Sequence, residues 1–113
     1  MEIIKLEDPR AFDQATGNGV CMVDFNAPWC APCRAQEPIL HEIAEDFDAS
    51  AAVAELDVTV NREVASRLRI HSIPTIIVFK DGKEMKRFVG LQPKDVLAGA
   101  LKQALAQSTS AAS

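Results

Sequence analysis

The residues Trp29-Cys30-Ala31-Pro32-Cys33 constrain this chain more than any other segment, because two thiols separated by two residues can close a disulfide over one turn and open it again. Such a pair suits reversible electron transfer. The run before it, Val20 to Phe25, is apolar enough for a buried strand, and Arg34 to Phe47 reads as an amphipathic helix. The dithiol therefore belongs at a strand-to-helix junction.

At 113 residues the chain fits one domain, large enough to bury roughly two-thirds of its unfolded surface without metal or disulfide staples. That domain is expected over residues 1–107, and the patternless Ser and Ala of 108–113 read as a flexible tail. Apolar residues make up 48% and charged ones 25%, which argues against a disordered or a membrane protein. No apolar stretch approaches the ~20 residues needed to span a bilayer. Met1 to Lys5 lacks the basic and long apolar regions of a secretion signal, so a reducing cytoplasm is the expected compartment. The net charge of -4, without clustered Lys or Arg, speaks against nucleic acid or anionic membranes as partners.

Three cysteines leave one over. Cys21 lies inside the apolar strand run, where a buried inert thiol is expected. A metal site takes about four ligands, and beyond Cys30 and Cys33 the candidates Cys21, His41 and His71 form no second paired set, so no metal is expected.

Glu2 to Lys5 can be a short strand, and Asp8-Pro9 supplies a cap and a first-turn proline for a helix ending near Gly17-Asn18-Gly19. Val20 to Asn26 follows as the second strand. In the next helix Ile39, Leu40, Ile43, Ala44 and Phe47 recur at helical spacing, and Pro38 should kink it. Ala51 to Val58 reads as a third strand. Asn61 can cap a short helix to Leu68 that carries Val64, Ala65 and Leu68 inward. This alternation favours parallel pairing. Thr75 to Phe79, Asp81-Gly82 and Lys83 to Val89 then read as a tight antiparallel hairpin. Gln92-Pro93 opens a last helix whose Val96, Leu97, Ala100, Leu101, Ala104 and Leu105 should pack on the sheet.

Taken in register, Val23-Asp24-Phe25, Trp29-Cys30-x-Pro32-Cys33, Pro38, Ile73-Pro74-Thr75, Phe79-Lys80-Asp81-Gly82 and Gly90 resemble the thioredoxin family over about residues 3 to 106. The resemblance implies an α/β thioredoxin fold, a mixed five-stranded central sheet flanked by four helices. It also implies a protein-disulfide oxidoreductase that works on disulfide-bearing target proteins and is recycled by a thioredoxin reductase. A monomer without a cofactor of its own is expected.

Cys30 falls at the helix start, where free N–H groups and the dipole favour an anion. An effect of about 1 kcal/mol there lowers a thiol pKa by nearly one unit, which gives a useful thiolate fraction near neutrality. Cys33, one turn deeper, is expected to be shielded and to act as the resolving thiol. Asp24, between Val23 and Phe25 in a strand, should be desolvated and its pKa raised, so that it can exchange a proton with Cys33. The alternative is an acid turned to solvent. The family carries a lysine near this acid where the chain has Glu55: pointing inward, Glu55 would make Asp24 harder to ionise, and turned to solvent it would change little.

The resemblance further implies a cis bond before Pro74, with the preceding backbone at Ile73 pairing with a substrate chain, and a Gly90 that allows close backbone approach. With Trp29 and Pro32 these make an apolar groove for extended segments. Asn26 stands where an aromatic is usual, and Ala31 replaces a glycine. Three activities compete: a general disulfide reductase, a dedicated donor to one partner, and an oxidase or isomerase. A docking module with incidental redox chemistry is a further class, and the intact cysteine pair argues against it.

Overall fold

The computed structural model describes residues 2–107; Met1 and the expected tail at 108–113 lie outside the described residues. Nine elements follow in order: β1 (Ile4–Lys5), α1 (Pro9–Thr16), β2 (Val20–Asn26), α2 (Ala31–Asp46), β3 (Ala52–Asp57), α3 (Arg62–Arg67), β4 (Thr75–Lys80), β5 (Lys83–Val89) and α4 (Lys94–Ala106). The strands form one mixed sheet in the order β1-β3-β2-β4-β5. β2 is its centre, parallel to β3 and antiparallel to β4. β1 pairs in parallel with β3, and β4 with β5 as the expected hairpin. Asp81 (φ 50°) and Gly82 (φ 85°) turn that hairpin, a left-handed pair of the kind that matches the strand twist.

Successive side chains of β2 alternate between two packed faces. Val20 and Met22 enter a core with Leu40 and Ile43 of α2 and Leu97 and Leu101 of α4. Cys21, Val23 and Phe25 enter a second core with Phe12 of α1 and Val64 of α3. Each large apolar side chain buried in this way stabilises the fold by roughly 1.5–3 kcal/mol. Asp24 belongs by parity to the Met22 face, the one covered by α2.

The helix after the dithiol starts at Ala31, directly after Cys30 as expected of a dithiol at the helix start, because Ala31 and Pro32 fit a first turn whose N–H groups have no helical acceptor; it then runs through Pro38 to Asp46. Two expectations are corrected. Asn61 stands at the start of α3 without capping it: its side chain is buried and donates to the carbonyls of Leu6 (3.4 Å) and Asp57 (3.2 Å). On α4, Leu97, Leu101 and Ala104 are buried whereas Val96 and Leu105 are exposed, since the helix is apolar on more of its circumference than the sheet can cover. No helix among the described residues is long and apolar enough to cross a membrane.

Candidate active site

The dithiol is built by the end of β2 and the start of α2. Cys30 is the N-cap of α2, in extended conformation (φ -93°, ψ 111°), and its sulfur accepts the backbone N–H of Cys33 at 3.2 Å. The two cysteines are joined as a disulfide, with Cα atoms 5.2 Å apart. The loop before them is fastened by Arg34, whose Nη1 donates to the Pro28 carbonyl at 2.9 Å, and by the Cys30 N–H, which donates to the Ala27 carbonyl at 3.3 Å. Both cysteines are 5% exposed. The greater shielding expected of Cys33 is therefore absent from this disulfide form, and the two differ in helix position rather than in burial.

Around Cys30 the surface is apolar. The Ile73 carbonyl oxygen lies 3.9 Å from its sulfur, and Ile73 packs against the small cluster of Ala27, Cys30 and Cys33. The Ile73–Pro74 peptide is cis. Gly90 donates its N–H to the Pro74 carbonyl at 2.7 Å, and its φ of +94° is one that glycine adopts without strain. Nothing lies within 4 Å of where a Gly90 side chain would start. Trp29 is 71% exposed, Pro32 is exposed, and Val89 (61%) and Leu91 flank Gly90. Contact of this kind between extended, open backbone and scattered apolar side chains is what an unfolded peptide segment can use.

The thioredoxin family profile matches residues 3–103. The chain belongs to the thioredoxin family. Thioredoxins of Staphylococcus haemolyticus and Staphylococcus aureus are 45% and 44% identical to it over 105 residues, 93% of this chain and the whole of theirs. Among solved structures, a mutant thioredoxin of Halobacterium salinarum NRC-1 superposes with a TM-score of 0.88 at 34% identity, covering 95% of this chain and 94% of that one. A Trypanosoma brucei brucei thioredoxin shares the fold at a TM-score of 0.86 and 23% identity, over 94% and 93% of the two chains. This thioredoxin-family protein is accordingly a protein-disulfide oxidoreductase that exchanges thiols and disulfides through Cys30 and Cys33. Disulfide-bearing proteins and a reductase are its partners in general terms.

Behind the dithiol the chemistry changes. Asp24 is 2% exposed, and burial pushes its pKa up to about 7; the Asn26 side-chain hydrogen bond opposes that rise, and the Glu55 and Glu37 charges add to it. Its Oδ1 is buried without a hydrogen-bond partner, and Oδ2 accepts from Asn26 Nδ2 at 3.2 Å. The same Nδ2 donates to Glu55 Oε1 at 3.0 Å. Glu55 therefore points inward, and of the two orientations left open by the sequence the repelling one is realised. An open depression of about 870 Å3 on this side has Asn26, Cys33, Glu37 and Glu55 in its wall; Trp29, Ile73, Pro74 and Gly90 take no part in it.

Cys21 is wholly buried and its thiol is pushed up to about 12 by desolvation, as expected of an inert core cysteine. Among the described residues no group of His, Cys, Asp and Glu could hold a metal ion. Two features of the site escaped the sequence. Gln36 is fully buried on α2 and is bonded both ways to Gln92, donating to its carbonyl (3.0 Å) and accepting its N–H (2.8 Å), which ties α2 to the segment after Gly90. Val89 and Leu91 extend the apolar surface. A helical glutamine and two valine-like residues near a glycine carry no signal that singles them out.

Proposed function

We propose that this protein is a general reductase of protein disulfides, acting as a cytoplasmic monomer over residues 1–107, with Cys30 as its nucleophile. The Cys30 thiolate attacks one sulfur of a target disulfide, forming a mixed disulfide and releasing the first target thiolate. Cys33 then loses its proton to the Asp24 carboxylate and attacks the Cys30 sulfur. The second target thiolate leaves, and the Cys30–Cys33 disulfide carries the two electrons' worth of oxidation to a reductase. Trp29, Pro32, Ile73, Pro74 and Gly90 are assigned to holding the extended target segment.

The observation that supports this reading best is the place of Cys30 as N-cap, its sulfur receiving the Cys33 N–H at the positive end of a sixteen-residue helix. Cys33 has no such place. An Asp24 that titrates near neutrality fits a group that must accept a proton in one direction and return it in the other.

Trapping tests the assignment. Cys33→Ser should accumulate a mixed disulfide with an oxidised protein target such as a disulfide-linked peptide hormone, and Cys30→Ser should accumulate none. A trapped adduct through Cys33 in Cys30→Ser would reverse the roles. The redox potential of the pair against glutathione separates reductase from isomerase: a strongly reducing value supports the former, a value near that of glutathione the latter.

A further inference from the structure

We propose that Asn26 is a positioning residue for proton transfer: its amide holds the Asp24 and Glu55 carboxyl groups side by side and keeps Asp24 usable as a proton acceptor beside a second acid. The proposal rests on the reading of Asp24 as the acceptor of the Cys33 proton.

The arrangement follows from strand geometry. Asp24 and Glu55 are register partners on β2 and β3, so their side chains share the sheet face covered by α2. Asn26 stands two residues beyond Asp24 and so points to the same face. A primary amide carries two N–H donors, one for each carboxyl, and its nitrogen lies 3.2 Å from Asp24 Oδ2 and 3.0 Å from Glu55 Oε1. An aromatic side chain at this position could not make both bonds. The two departures that the sequence presents separately, Asn26 and Glu55, are thus one unit in the fold.

The charges around Asp24 explain why a bridge is needed. Glu55 faces it from β3 and Glu37 acts on it from α2, both anions. β4 places the uncharged Ile76 opposite it. Lys5 of β1, Glu7, Arg34 of α2 and Asp57 line the neighbouring depression; Lys5 is exposed and pairs in register with Glu55 on the strand away from Asp24, Arg34 is engaged by the Pro28 carbonyl and Asp57 by Thr59. The Asn26 amide is thus the donor that bonds directly to the buried carboxyl. When Cys33 gives its proton to Asp24, the carboxyl becomes neutral and the repulsion from Glu55 is relieved; when Asp24 gives that proton up again, the amide stabilises the anion.

The test is a carbon-detected NMR titration of the Asp24 carboxyl, with the rate of mixed-disulfide resolution followed against pH, in the full chain. Asn26→Leu should move the Asp24 midpoint upward by about one pH unit. The ionised fraction at pH 7 then falls from about half to about one tenth, so resolution at pH 7 should slow about fivefold and recover by pH 9. Asn26→Ala should do the same and serves where the leucine variant does not fold. Glu55→Gln should lower the midpoint, and lower it further in the Asn26→Leu background, where no amide separates the two acids. An Asp24 midpoint unmoved in folded Asn26→Leu and Asn26→Ala, while Asp24→Asn still flattens the pH profile of resolution, would overturn the role of Asn26 alone. A profile unaffected by Asp24→Asn would overturn the assignment of Asp24 on which it rests.

Discussion

The two sides of the dithiol follow different rules. On the side proposed to meet the target, Trp29, Cys30, the cis Ile73–Pro74 step and Gly90 stand at the family landmarks read in the sequence, and the surface they offer is backbone and exposed apolar side chains. On the inner side, buried Asp24 and half-buried Asn26 and Glu55 form a polar cluster, joined by the Asn26 amide, at which the sequence reading marks two departures from the family pattern. A backbone surface tolerates little change, because a lost left-handed glycine or an N–H at Pro74 alters its shape. A side-chain cluster can exchange one set of charges for another as long as its hydrogen bonds close.

Three variants sharpen or break that contrast. The largest expected effect lies on the inner side. The unfolded chain releases the Asp24 proton near the ordinary value of 3.8, whereas the folded protein keeps it until about pH 7. The folded state therefore binds more protons than the unfolded state between about pH 4 and pH 7, and stability falls as pH rises through that window, by about 4 kcal/mol in total, with no further loss above it. Asp24→Asn should abolish this slope in denaturant titrations at pH 4, 6 and 8. A slope unchanged in the variant would show that Asp24 is not the group being desolvated.

On the target side, Trp29→Ala should lower kcat/KM for a protein disulfide about tenfold, equivalent to about 1.4 kcal/mol. Stability should change by less than about 0.5 kcal/mol, because the side chain is 71% exposed. An unchanged kcat/KM would remove Trp29 from the target surface. The smallest effect on exchange is expected from Cys21→Ala, which touches neither side: turnover should stay at the wild-type level while a small core cavity lowers stability by about 1 kcal/mol. A folded Cys21→Ala protein with poor turnover would mean that the third thiol takes part in exchange.

The contrast also explains what could be read from the sequence. The dithiol, the hairpin at Asp81-Gly82 and the burial of Asp24 rest on short-range patterns, namely spacing, turn chemistry and an acid set among apolar strand residues, and all three are found as expected. The Asn26–Glu55 contact spans 29 residues and depends on the register between β2 and β3. Gln36 and Gln92 are 56 residues apart. Such pairs carry no local signal. Asn61 misled because its residue type suits a cap, while the carbonyls of Leu6 and Asp57 compete for its buried amide and win. On α4 the apolar pattern exceeds the available sheet surface, and only tertiary packing decides that Val96 and Leu105 are left out.

Both sides meet at the claim that helix position, and not exposure, divides labour between two cysteines that are equally buried. Alkylation of the reduced protein tests it most directly. Brief treatment with iodoacetamide across pH 5 to 9, followed by peptide mapping, reads the thiolate at each sulfur separately. The account predicts label on Cys30 well before Cys33 at pH 7, with Cys21 reached only on unfolding. Label on Cys33 first, or on both at equal rates, would contradict it.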